Sequence, residues 1–220
     1  MAIYVFLGPS LPLDEAQNLV TAEFLPPAQM GDLHDLVVTR AKPGDHIAII
    51  DGLFERIPAI WHKEILFALS KGIHVYGASS MGALRAAELS SFGMVGWGRV
   101  YKAYAANEIL DDDEVAVSHA DAEFGYRCLS TAMVSIRMRL SALVAESFLD
   151  AKSAAKLVAE AKRKNYAERH WQDIIDWSEK EGLSKPQISK LQELGRSHDV
   201  KSEDAIGLLK HLSEAATGDT

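Results

Sequence analysis

Three short runs constrain the fold of this chain more than anything else in it: IYVFLG (3–8), HIAIIDG (46–52) and HVYGA (74–78). Each is rich in β-branched or aromatic residues and nearly continuously apolar. Strands of that kind are covered on both faces, as in a parallel sheet flanked by helices. The segments between them follow the helical period. A helix is expected over about 13–20, with Asp14 and Glu15 in its first turn. Pro26-Pro27 breaks the chain, GDLHDLVVTR reads as a short helix, and Pro43-Gly44 turns it again. After Pro58, AIWHKEILFALSKG puts Ile60, Ile65, Leu66 and Leu69 on one face and stops at Gly72. SMGALRAAEL opens a helix as the third run ends. Strand and helix alternate, which predicts an α/β fold: a small parallel sheet with right-handed crossover helices.

The second half reads differently. VGWGRVYKAYAANEIL fits neither period. Asp111-Asp112-Asp113-Glu114 is an acidic turn, and EVAVSHA after it alternates like a half-exposed strand. From about Phe124 the pattern is helical, with Cys128 in a helical run beside Leu129 and Met133, read as packing. Trp171 and Trp177 also read as packing residues. The expected organisation is an α/β core over 1–150 followed by a mostly helical C-terminal region over 151–220.

Composition excludes several classes. Net charge is −8, which argues against a nucleic-acid footprint. The single cysteine cannot form an internal disulfide. The chain shows neither a secretory signal pattern nor an apolar run of membrane-span length, so the expectation is a cytoplasmic protein with no membrane partner. There is no G-x-G-x-x-G or Walker A sequence. Asp111–Glu114 has only His119 nearby as a nitrogen ligand and reads as a solvated acidic turn rather than a metal site. No cofactor is expected.

The segment richest in chemistry is GASSMGALRAAEL (77–89). A strand runs directly into a serine flanked by small residues and then into a helix, the arrangement of a nucleophile elbow. Ala78 and Gly82 lie two residues either side of Ser80, which suits Ser80 to the nucleophile position better than Ser79. The new helix supplies unsatisfied N–H groups that can hold an oxyanion. The competing reading is that Ser79 or Ser80 only caps the helix. In the nucleophile reading, Gly77, Ser79, Met81 and Gly82 form the substrate-binding turn around Ser80. Arg85 either meets a negative charge on the substrate or pairs with Glu88. Asp51, at the end of the second strand, either contacts substrate or forms a turn.

A nucleophilic serine needs a base. His34, His62, His74, His119, Lys63 and Lys102 are the candidates. His62 and Lys63 open the helix that leaves the second strand, so they share the sheet's carboxyl edge with Ser80. His74 starts its strand at the opposite edge.

Through IYVFLGPSL, PPAQMGDL, IAIIDGLF, HKEIL, GIHVYGASSMGALRAAEL, FGMVGWGRVY and DDDEVAVSHA, the chain resembles the TfuA-like family over roughly its first 140 residues. That resemblance implies work beside a YcaO enzyme, which activates peptide backbone amides so that sulfur replaces oxygen. It implies hydrolysis of a ubiquitin-like (ThiS-like) carrier ending in a thiocarboxylate, through a Ser-Lys pair, to deliver sulfide. Ser80 of SSMG and Lys63 of HKEIL take those two roles by resemblance. The alternatives are an adaptor that docks the carrier onto YcaO without catalysis, and a general serine hydrolase of small esters or amides.

Overall fold

The computed structural model describes residues 1–53, 57–197 and 199–218. Phe54, which ends the IAIIDGLF segment, lies outside them. The elements run β1 (Ile3–Phe6), α1 (Leu13–Gln17), β2 (Glu23–Leu25), α2 (Asp32–Thr39), β3 (His46–Ile49), α3 (His62–Ser70), β4 (His74–Ala78), α4 (Met81–Leu89), β5 (Val95–Trp97) and α5 (Gly98–Ala105). Five more helices follow: α6 (Met133–Ala145), α7 (Ala151–Arg163), α8 (Trp171–Lys180), α9 (Lys185–Leu194) and α10 (Val200–Thr217).

All strand pairs are parallel, in the order β2-β1-β3-β4-β5. The α/β fold with its helical C-terminal region is therefore present. The three apolar runs form the centre of the sheet. β2 and β5 are edge strands of three residues each, partly exposed, and too short to carry an apolar run of their own.

Alternate residues of each central strand face opposite layers. Phe6, Ile47, Ile49 and Val75 pack with residues of α2, α3 and α4. Val5, Ala48, Ile50 and Ala78 pack with Ala16 of α1 and with Ala205, Leu208 and Leu212 of α10. The last helix of the chain thus covers one face of the sheet that the first residues begin. The α6–α9 helices bury an apolar cluster of their own, with Met133, Leu140, Leu157, Trp171 and Ile174 at its centre. No helix among the described residues is long and apolar enough to cross a membrane.

The strand expected over EVAVSHA does not form. Asp112–Glu114 is a 3₁₀ turn, and a single bridge pairs His119 with Cys128. Glu114, Val115 and Ala116 are all buried, so the alternation in sequence does not mark two faces. The helix expected from Phe124 begins only at Met133, because Gly125 and Tyr126 turn the chain with φ of +64° and +55°. Residues 118–129 instead form an irregular hairpin. The Leu129 N–H donates to Ser118 O and the Ala120 N–H to Arg127 O. Cys128 accordingly sits on this hairpin and not in a helix, its thiol donating to Ser130 O at 3.2 Å.

Candidate active site

β4 ends in a strained turn. Ser79 has φ of +67°, and the Ser80 N–H bonds back to Ala78 O at 2.7 Å. An i→i+2 bond across a positive-φ residue is a rare γ-turn form whose strain the surrounding packing must hold. α4 is pressed hard against the sheet: a Cβ on Gly82 would stand 1.7 Å from Ile49 O, and one on Gly77 would stand 2.1 Å from Gly82 O. Only glycine fits at either place. Met81, between turn and helix, is buried in the core.

Neither serine caps the helix. Ser80 occupies the N-cap position, but its side chain makes no capping bond. Its hydroxyl, in a residue only 4% exposed, lies 3.5 Å from Val115 O and lines a cavity of about 50 Å³. The Ser79 hydroxyl is fully buried without a hydrogen-bond partner and does not line that cavity.

The cavity lies where open parallel sheets gather ligands, outside the carboxyl ends of β1 and β3, where the strand order reverses. Pro9, Asp51 and Gly52 form one wall, and Val115, Val117, His119 and Tyr166 form another. Asp51 is buried and binds the loop after β1. One carboxylate oxygen accepts from the Gly8 and Ser10 N–H groups at 2.9 and 3.0 Å, and the other accepts from the Ser10 hydroxyl at 2.7 Å.

Across from Ser80, the Lys201 amine donates to the same Val115 carbonyl at 2.9 Å. Lys201 is 3% exposed, and among the described residues no carboxylate lies within ion-pair distance of its amine. It sits in the first turn of α10, which Asp199 caps by accepting from the Ser202 N–H. Burial alone would raise the Asp199 carboxyl; the Ser135 hydroxyl, the Ser202 N–H and the charges of Lys201 and Arg139 hold it below the ordinary value. The Ser202 hydroxyl donates to Ser10 O, so α10 also ties down the loop that Asp51 holds.

The strap that carries Val115 is clamped by charge. Arg137 of α6 binds both oxygens of the buried Glu114 at 2.9 and 3.0 Å. Lys162 of α7 reaches Asp111, Asp113 and Glu114, and the buried Arg169 binds Asp113. The Asp113–Glu114 end of the acidic turn is therefore an ion network, while Asp111 and Asp112 stay exposed to solvent.

The family model for TfuA-like proteins matches residues 51–170. The chain belongs to the TfuA-like family. No curated protein matches it. The matched part of this TfuA-like chain holds the Ser80 turn, the strap and His119, while the loop after β1 and Lys201 stand outside it.

Among the residues that the sequence nominated, the fold brings Ser80, Asp51 and His119 to one cavity. Lys63 is exposed in the first turn of α3, and its amine makes no hydrogen bond to Ser80. His62 beside it contacts Glu88 at 2.7 Å. Glu88 lies eight residues beyond Ser80, roughly 12 Å along the axis of α4. α3 thus meets α4 about two turns below the serine. Arg85 pairs with Glu88 at 2.7 Å and donates to Ile60 O, which fastens the approach to α3. Lys102 is exposed on α5, His34 stacks on Phe67, and His74 lies against His46 at the far edge of the sheet.

Lys201 was not among the candidate bases. Its signal is present in the sequence: Lys201, Ala205, Leu208 and Leu212 share an i, i+4, i+7, i+11 stripe, which makes Lys201 a cation at the head of a buried face. Val115 could not have been found this way, since its contribution is a backbone carbonyl.

Proposed function

We propose that this TfuA-like protein is the sulfur-delivering accessory of a YcaO enzyme in peptide backbone thioamidation, with Ser80 as the nucleophile that hydrolyses a thiocarboxylated ubiquitin-like carrier. One observation carries the reading. Ser80 stands where a capping serine would, yet its hydroxyl does not cap; it lines a small cavity and shares a carbonyl with a buried lysine. Membership of the family supports the accessory role. The narrow cavity favours the thin, extended end of a chain over a bulky substrate.

In this mechanism the Ser80 oxygen attacks the carbonyl carbon of the thiocarboxylate. Its proton passes to a lysine amine and on to sulfur, the C–S bond breaks, and HS⁻ leaves. The Met81 N–H at the head of α4 holds the oxyanion, since the Ser80, Gly82 and Ala83 N–H groups already donate to the Ala78, Ile50 and Ser80 carbonyls. Water then cleaves the acyl-Ser80 ester. Lys63 is the base that the family resemblance nominates. The geometry favours Lys201, whose amine is buried and separated from the Ser80 hydroxyl by the one carbonyl they both contact. A lysine base must be neutral when it accepts the proton.

Sulfide release from a thiocarboxylated carrier tests the reading. Ser80→Ala and Lys201→Ala should both suppress release, with Lys63→Ala close to wild type. Wild-type release by Ser80→Ala would leave the adaptor as the better account. Suppression by Lys63→Ala alone would return the base to α3.

A further inference from the structure

We infer that His119 is a second catalytic residue, the base that activates water to discharge acyl-Ser80. This rests on the Ser80 reading and adds to the Ser-Lys pair a separate group for the second half of the reaction. His119 lines the Ser80 cavity, on the wall opposite Asp51. Its Nδ1 lies 2.8 Å from Ala120 O. A carbonyl only accepts, so Nδ1 carries a proton, and in the neutral ring Nε2 is the lone-pair acceptor. The bridge to Cys128 and the edge-on Tyr126 ring, 5.8 Å away, hold the imidazole in this position. That is an oriented imidazole in the wall of a cavity that also holds the nucleophile.

Two features separate its role from that of Lys201. No direct hydrogen bond joins His119 to Ser80, so His119 is not poised to take the hydroxyl proton. A cavity of about 50 Å³ also has room for a few water molecules between them, since one needs roughly 10–15 Å³. Lys201 reaches the Val115 carbonyl that Ser80 also contacts, while His119 lines the cavity itself.

The step balances. As the water oxygen bonds to the acyl carbon, one water proton goes to Nε2. The tetrahedral intermediate collapses, the C–Oγ bond breaks, and the imidazolium returns that proton to the Ser80 oxygen. The carrier leaves as a carboxylic acid and loses one proton to solvent.

The test separates first from later turnovers in the full chain, with His119→Gln and His119→Ala. The expected result is one equivalent of sulfide per chain at about the wild-type rate, then steady turnover slowed roughly 10²-fold, within the usual range for losing a general base. Intact-mass measurement should show acyl-Ser80 accumulating. Imidazole should restore turnover of His119→Ala, and hydroxylamine should discharge the adduct in both variants. A normal first turnover also shows that the site is folded. Equal slowing of first and later turnovers, or unchanged steady turnover without an adduct, would overturn the inference. The same measurements on a small activated ester acylate Ser80 without any carrier. A burst and stall with the ester alone would refute the carrier as substrate and keep His119. No burst with either donor would remove His119 from the mechanism.

Discussion

The two walls of the Ser80 cavity are built by opposite means. On the sheet side, the β4–α4 turn is fixed by close packing: Gly77 and Gly82 let the helix sit on β3, and the turn absorbs its strain at Ser79. On the other side, the Val115 strap has no strand to hold it and is fixed by ions, through Arg137, Lys162 and Arg169 on three separate segments. Packing is short-ranged and indifferent to salt. An ion network is screened by salt and titrates. The wall that carries Ser80 should therefore hold its shape across conditions, while the wall that carries the shared carbonyl should respond to them.

The sharpest way to break this comparison is on the packed side. Ser80→Ala should lower sulfide release by three orders of magnitude or so, while thermal stability hardly moves, because the hydroxyl makes no capping bond. Gly82→Ala should do the reverse. Its Cβ has no room against the Ile49 carbonyl, so unfolding should show a loss of several kcal/mol, beyond the ~1–3 kcal/mol of ordinary overpacking, at any salt concentration. A mild Gly82→Ala phenotype would mean that α4 can lift off the sheet.

On the ionic side the effects should be smaller and condition-dependent. Arg137→Met leaves Glu114 buried with Lys162 alone, at a cost of roughly 1.5–3 kcal/mol in denaturant unfolding. Release of sulfide should fall with it as the Val115 carbonyl shifts, and the loss should shrink at high salt, where the wild-type network is itself weaker. pH reads the same wall. Burial alone would raise the Asp113 carboxyl; hydrogen bonds from Lys162 and Arg169 and the Arg169 charge hold it below 3.8. A lowered carboxyl contributes stability that is fully present above its unfolded value and is lost as pH falls through the folded one. Stability should thus be flat in this respect above about pH 5 and should drop below 3.8, less steeply in Asp113→Asn. An identical acid limb in Asp113→Asn would show that the strap does not depend on this ion pair. The smallest effect lies away from both walls. Asp150 caps α7 by accepting from the Ser153 N–H at 2.9 Å, and Asp150→Ala should lower the melting temperature slightly with no change in sulfide release.

Much of the scaffold is legible from local pattern. The β1, β3 and β4 runs and the helices between them announce a parallel sheet, because burial on both faces demands continuous apolar strands. The Ser80 turn is legible for a related reason: Gly82, Ala78 and adjacent serines are what a strand-to-helix corner requires. The edge strands are not legible, since three residues carry no period. EVAVSHA misleads because its first three residues are all buried, whichever way they alternate, and the segment is held by charge.

By itself, then, the sequence determined the sheet, its helices, the family signature and the serine. Only the tertiary structure decided the serine's company. Lys201 is 121 positions away along the chain from Ser80, and it meets the same Val115 carbonyl because Ala205, Leu208 and Leu212 bury α10 on the open face of the sheet. Hydrophobic burial of one helix, a force with no memory of sequence distance, thus brings the amine to the serine. No local pattern around Ser80 encodes that contact.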